Sequence, residues 1–284
     1  MLGKAAYEIL SNHYNVTATD IDLNEDWLFP LDVRVISDWE WMFSKHPFKK
    51  IFHLAALTDL EYCESSPDDA WRTNALGTEN AALMAKKYGC DLIYVSTAGI
   101  FTGDGVFNDF DDPTPESIYG RSKYYGERIA TTVPVHYVFR AGWMMGGGYK
   151  DKKFVSKICK QIESGADTIY AVTDKLGTPT YTYDFIENIV RVIQSGYTGV
   201  YNQVCSGDCS RYDVAVAIVE ILGKDIKVVP VESDHFQEYT APRPYSERLT
   251  NLKLDSYDMN GMRHWRVCLA EYLRDYYKSI IDKS

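Results

Sequence analysis

Nowhere in these 284 residues does an apolar run approach the roughly 20 needed to cross a bilayer, so no membrane span is expected. There is no internal repeat and no low-complexity segment. Nor does the N-terminus show a basic region followed by an apolar stretch and a cleavage site, and a cytoplasmic location is expected. The cysteines lack partners in the sequence. Of Cys63, Cys90, Cys159, Cys205, Cys209 and Cys268, only Cys205 and Cys209 lie close together, and no second pair or His-x-x-x-His answers them. Reduced structural thiols are expected, and no metal site. The histidines do not cluster, and His53 in "IFHLAA" reads as a packed strand-end residue rather than a ligand. Positive charge is in deficit, with 30 Lys and Arg against 40 Asp and Glu, a formal net charge of −10. That balance argues against nucleic acid or an anionic membrane surface as the main partner. An anionic small substrate would need local basic residues.

What is present is an alternation of strand and helix. Met1–Leu10 has helical apolar spacing; "NVTATD" (15–20), "KIFHLAA" (50–56), "DLIYVST" (91–97) and "VHYVFRAG" (135–142) read as strands. Between them, helices are expected at 38–46, 67–89 (ended by Gly89) and 119–132. Such alternation predicts an α/β fold, a doubly wound parallel sheet with helices on both faces. Beyond residue 142 the pattern loosens. Helices are expected at 152–164, 183–195, 210–222 and 265–280, and short strands at 168–172, 199–203 and 226–231. Residues 233–263, centred on "APRPYSERL", read as an ordered, aromatic-anchored functional loop region, and ligand is expected between two lobes.

In doubly wound folds a glycine turn opens the first helix, and the helix N-terminus supplies N–H donors to a pyrophosphate. Gly3 sits where the last glycine of such a turn belongs. Asp20 ends a strand about 20 residues on, where an acid binds the adenosine ribose hydroxyls and repels a 2′-phosphate. NAD is therefore favoured over NADP, with Asp22 a rival for the role. Asp32 is placed to bind the adenine amino group, and Ala55 and Ala56 end a strand with side chains small enough for backbone contact with the cofactor.

"YVSTAGIF" ends another strand, and "YGRSK" spaces Tyr119 and Lys123 one helical turn apart on a shared face. A nearby ammonium favours a phenolate, so Lys123 is expected to lower the Tyr119 pKa toward acid–base use, while Thr97 holds a substrate carbonyl oxygen.

With these pieces in place the chain resembles the extended short-chain dehydrogenase/reductases, a Rossmann-like family, and within it the dTDP-4-dehydrorhamnose reductases. The likeness rests on "HLAALTDLEYCE", "NALGTENAA", "ST" (96–97), "YGRSKYYGE", "FRAGWMMGGG", "LGTPTYTYD" and "APRPYSERLTNLKL". It implies a Thr97–Tyr119–Lys123 triad, hydride transfer from NAD or NADP to the 4-keto carbon of a nucleotide sugar, and a homodimer. Residues 1–142 would form the dinucleotide-binding domain, and 143–284 mainly the substrate lobe, with some segments returning to the sheet. Thr58, Trp143, Thr180, Tyr181 and Arg243 would lie at the substrate, and Asn74 would stabilise the sheet beside the site. Arg140 and Arg248 join Arg243 as candidates for pairing with the substrate diphosphate. Members of the family begin with a strand and a Gly-x-x-Gly-x-x-Gly turn, so the resemblance implies that the chain starts inside that turn and that its two flanking strands have a groove between them. Ala98 and Gly99 stand where relatives carry an acidic residue and a tyrosine, which argues against dehydration and leaves the sugar open. A nucleotide-sugar epimerase, and a non-catalytic regulatory subunit like the beta subunit of methionine adenosyltransferase, are the alternatives.

Overall fold

A computed structural model describes residues 1–277. Its first half runs α1 (Leu2–Leu10), β1 (Ala18–Asp20), β2 (Leu28–Pro30), α2 (Ile36–Lys45), β3 (Lys50–His53), α3 (Leu60–Ser65), α4 (Pro67–Ala70), α5 (Gly77–Tyr88), β4 (Asp91–Thr97), β5 (Val106–Phe107), α6 (Ile118–Ala130) and β6 (His136–Ala141). There follow β7 (Trp143–Met145), α7 (Phe154–Glu163), β8 (Thr168–Val172), β9 (Leu176–Gly177), β10 (Pro179–Tyr181), α8 (Thr182–Ser195), β11 (Gly199–Asn202), β12 (Cys209–Ser210), α9 (Arg211–Leu222), β13 (Lys227–Val231), β14 (Ser246–Leu249), α10 (Leu252–Ser256) and α11 (Trp265–Tyr272).

The central sheet has the order β11-β6-β4-β3, and every pairing in it is parallel. Successive strand residues face opposite sides, so both faces must be covered. Leu92, Tyr94 and Val138 pack with Trp39, Met42 and Phe43 of α2 and with Ala81 and Ala85 of α5. Ile93 and Phe139 face the other way, into a core that takes in Ala5, Ala6, Ile9 and Leu10 of α1 and Phe185 and Ile189 of α8. This is the expected doubly wound α/β architecture. No helix among the described residues is long and apolar enough to cross a membrane.

β1 and β2 form a separate parallel pair. Among the described residues neither β1 nor β3 has a strand on its second edge, and both line one cavity. The second half of the chain adds three smaller sheets, β12-β9-β14-β5, β7-β10 and β8-β13, the first of which brings β14 against the Ala98–Ile100 turn that follows β4.

Two helices differ from expectation. The segment 67–89 is interrupted by a π-helical turn over Trp71–Leu76. The wider turn places Asn74 where its amide donates to the Leu57 carbonyl (3.0 Å) and to Ser122 Oγ (3.0 Å) and accepts from the Leu57 N–H (2.8 Å). The final helix gives way to a π turn over Leu273–Tyr277, and residues 278–280 of that expectation lie outside the described residues.

Arg140 of β6 is buried with Glu127 of α6, Nη2 standing 2.6 Å from Oε1 and Nε donating to both carboxylate oxygens. It therefore ties helix to sheet and is not a diphosphate ligand, because its charge is already committed. Removing one member leaves the other's charge buried and unpaired. Glu127→Ala is expected to lower stability by about 3–5 kcal/mol in chemical denaturation, and a loss below about 1 kcal/mol would contradict this role.

Candidate active site

Helix α6 begins where it does because Ser117 caps it, accepting the Gly120 N–H at 3.0 Å. That start puts Tyr119 in the first turn and Lys123 one turn later. Gly120 lets the helix close on the end of β4, since a Cβ there would stand 2.5 Å from the Gly99 carbonyl oxygen. The close approach seats the Tyr119 phenol against Thr97, with which it hydrogen-bonds. Thr97 Oγ1 also accepts the Gly99 N–H at 3.1 Å. Thr97, Tyr119 and Lys123 thus share one cavity.

The electrostatics differ from the expectation that the ammonium makes the phenol acidic. Lys123 Nζ donates to the Val95 carbonyl at 2.7 Å and lies 4.1 Å from the centre of the Tyr94 ring. Burial pulls the Lys123 ammonium down to about 7, against an upward pull from Glu127. Burial pushes Tyr119 up to about 12; the hydrogen bond with Thr97 opposes this and the Glu247 carboxylate adds to it. The lysine is tethered to the strand instead of acting on the phenol. His53, buried and hydrogen-bonded to Thr78 Oγ1 at 3.1 Å, is pushed down to about 3 by burial, then by Lys123; it is a neutral core residue.

The same cavity, of about 1670 Å³, is lined by Gly3, Asp20, Asp32, Ala55, Ala56, Thr58, Trp143 and Arg243. Part of that volume is the apolar slot between β1 and β3, reached by Leu10, Met42 and Phe43. Asp20 is exposed at the end of β1, and Asp22 does not line the cavity. Asp32 is less available than the sequence suggests, because Arg34 grips its carboxylate through Nε and Nη2 and holds its pKa below the usual carboxylate range.

On the substrate side Trp143 is buried; its indole lies against Gly177, where a Cβ would stand 2.4 Å from the ring. Thr58 accepts from Lys153 Nζ at 2.8 Å, and Arg243 pairs with Glu61 of α3 at 2.7 Å. Thr180 and Tyr181, expected at the substrate, lie behind the cavity wall. The Thr180 hydroxyl accepts the Gly142 N–H at 3.0 Å, and Tyr181 packs in the core against Tyr183 and Tyr272, so neither lines the cavity. The motif holding them pairs β10 with β7 and so positions Trp143 from behind. Arg248 is turned away toward Asp208 and Ser246 and also lies outside the lining. Lys153, Arg211 and Glu247 line the cavity and were not among the expected site residues. Glu247 falls within the "APRPYSERL" segment without having been singled out there, and no local motif marks Lys153 or Arg211. In all, ten Lys and Arg line the cavity against five Asp and Glu, reversing the sign of the whole chain.

The depressed Lys123 pKa has a testable consequence. Between about 7 and its ordinary value of 10.5 the unfolded chain keeps a proton that the folded chain has released, so the penalty for burying Lys123 shrinks as pH rises through that window. Relative to Lys123→Met, the parent is expected to gain stability from about pH 7 to about pH 10 in urea denaturation, where a pH-independent difference would contradict the assignment.

Comparison with known proteins agrees with this fold. The family model described as RmlD substrate binding domain matches residues 1–278. The spore coat polysaccharide biosynthesis protein SpsK of Bacillus subtilis is 32% identical over 228 residues, covering 79% of this chain and 78% of that protein. A dTDP-4-dehydrorhamnose reductase of Mycobacterium tuberculosis is 32% identical over 232 residues, covering 78% of this chain and 75% of its own length. The crystal structure of dTDP-4-dehydrorhamnose reductase from Bacillus anthracis in complex with NADP superposes with a TM-score of 0.86 at 27% identity, over 96% of this chain and 95% of that one. A match along nearly the whole chain, on this fold, makes the chain a member of the RmlD substrate-binding domain family.

Proposed function

We propose that this chain is an NAD(P)H-dependent reductase of a nucleotide-linked 4-keto sugar. The observation that carries the reading is that Thr97, Tyr119 and Lys123 line one cavity together with Met1, Leu2 and Gly3 at the N-terminus of α1. The residues present fit a nicotinamide dinucleotide. At Gly3 a side chain would meet nothing within 4 Å, no side chain caps the first N–H groups of α1, and Ala55 and Ala56 present only methyl groups along the floor. Gly3, Ala55 and Ala56 would hold the cofactor's backbone, Asp20 its ribose, and Tyr119 and Lys123 its reactive end. When bound, it supplies the hydride that reduces the carbonyl carbon. The exposed Asp20 carboxylate supports NADH over NADPH, because its charge opposes a 2′-phosphate.

The protein's own part is proton delivery. A phenol pushed up to about 12 stays protonated at neutral pH, the form required of an acid. Tyr119 gives its proton to the carbonyl oxygen as that oxygen gains negative charge; the Thr97 hydroxyl orients the pair, and the phenolate recovers a proton from water. Lys123, fixed on Val95, contributes positive charge when protonated. Arg243, Lys153 and the surplus of lining cations suit the substrate diphosphate. The exposed rings of Trp71 and Tyr125, in edge contact, support assembly as a homodimer.

The test is Tyr119→Phe. NADH oxidation with a dTDP-linked 4-keto-6-deoxy sugar is expected to fall about 10²–10⁴-fold with the thermal melt unchanged; an undiminished rate would reject the mechanism. A parent protein that oxidises no NADH with keto sugars would favour a binding role instead.

A further inference from the structure

One carboxylate in the cavity has no part in the reaction described above. Glu247 of β14 reaches the catalytic end of β4 from the opposite side. The point where a side chain at Gly99 would begin lies 3.5 Å from Thr97 Oγ1, 3.7 Å from Tyr119 Cε1 and 3.7 Å from Glu247 Oε1. The absence of a side chain at Gly99 therefore leaves a small space bounded by the proton donor, its partner hydroxyl and this carboxylate.

Of the Glu247 carboxylate, the described residues engage only one oxygen. Its Oε2 accepts the Trp143 indole N–H at 2.6 Å, and that indole is itself fixed, with the Arg211 guanidinium 3.5 Å from its ring centre. Among the described residues, no hydrogen bond reaches Oε1 and no ion pair closes on the carboxylate. An ionised carboxylate can only accept hydrogen bonds, so the group that completes Oε1 is a donor. The donors a keto sugar presents beside its carbonyl are hydroxyls.

We propose that Glu247 is a specificity-determining residue whose Oε1 accepts a hydrogen bond from the hydroxyl on the sugar carbon next to the reacting carbonyl. The inference rests on the reductase reading for the identity of the ligand. Trp143 serves as the platform that aims the carboxylate, and Gly99 keeps the space for the sugar edge. Glu247 is half-buried, and a bound sugar would cover Oε1; an analogue lacking the donor is then rejected, because the covered acceptor is left desolvated and unpaired.

The experiment is calorimetric titration, which does not depend on turnover. The probes are a dTDP-linked 6-deoxyhexose and its counterpart lacking the C3 hydroxyl, each added to the parent, Glu247→Gln and Glu247→Ala. The parent is expected to prefer the hydroxylated sugar by about 10–100-fold, the size of a hydrogen bond to a charged group. Glu247→Ala should bind both within about twofold, and Glu247→Gln, which retains a neutral acceptor, should fall between. A parent that binds both sugars alike or binds neither, or a Glu247→Ala variant that keeps the parent's preference, overturns the proposal. Equal preference in all three proteins alongside a Tyr119→Phe collapse in turnover would sink this assignment while sparing the reductase reading. A preference lost in Glu247→Ala while Tyr119→Phe stays fully active would uphold this assignment and reject Tyr119 as the proton donor.

Discussion

The seating of α6 on β4 is the contact on which the site depends. Four interactions hold it: the close approach at Gly120, the Tyr94 hydroxyl donating to the Lys123 carbonyl at 3.0 Å, Lys123 Nζ on the Val95 carbonyl, and the Arg140–Glu127 pair one strand over. A helix free to slide by even one residue would carry Tyr119 about 1.5 Å along its axis and rotate it away from Thr97. Catalytic geometry tolerates little of that. The buried polar contacts therefore do more for register than for net stability, since a buried ion pair is worth little over an apolar substitute of the same shape.

The Asn74 amide extends this seating to the cofactor side. It joins the loop after β3, through Leu57, to α6, through Ser122. The loop that carries Ala55, Ala56 and Thr58 and the helix that carries Tyr119 and Lys123 are thus fixed to each other through one side chain, which a π turn aims inward.

Local pattern reveals much of this architecture. Strand β4 runs over Asp91–Thr97 as its β-branched and aromatic residues indicate, and α6 starts where "SIYG" puts a serine cap. Gly3, Asp20, Ala55 and Ala56, each of which follows a strand or opens a helix at a fixed interval, line one cavity. What spacing cannot show is how a charged group is spent. Asp32 looks open in the sequence and is gripped by Arg34 two residues on; Lys123 looks aimed at Tyr119 and is tethered to Val95. Thr180 and Tyr181 follow a substrate-side motif but alternate into the core, because β10 pairs with β7 and is covered on both faces. The "APRPYSERL" segment reads as functional, but spacing does not single out Glu247 within it, since its neighbours Gly99, Trp143 and Tyr119 come from distant parts of the chain.

The reversed charge of the cavity has a further consequence. The molecule is a negative body whose cavity lining keeps a small positive surplus, since Lys4, Lys50, Lys150 and Arg243 of that lining are paired with Glu8, Asp91, Glu25 and Glu61 outside it. An extended polyanion approaching from outside meets mainly the outer repulsion, over a length no cleft can accommodate. A small diphosphate ester can pass within a screening length of the mouth and be drawn in. Selection by length thus precedes selection by shape, and added salt weakens both parts of the filter together.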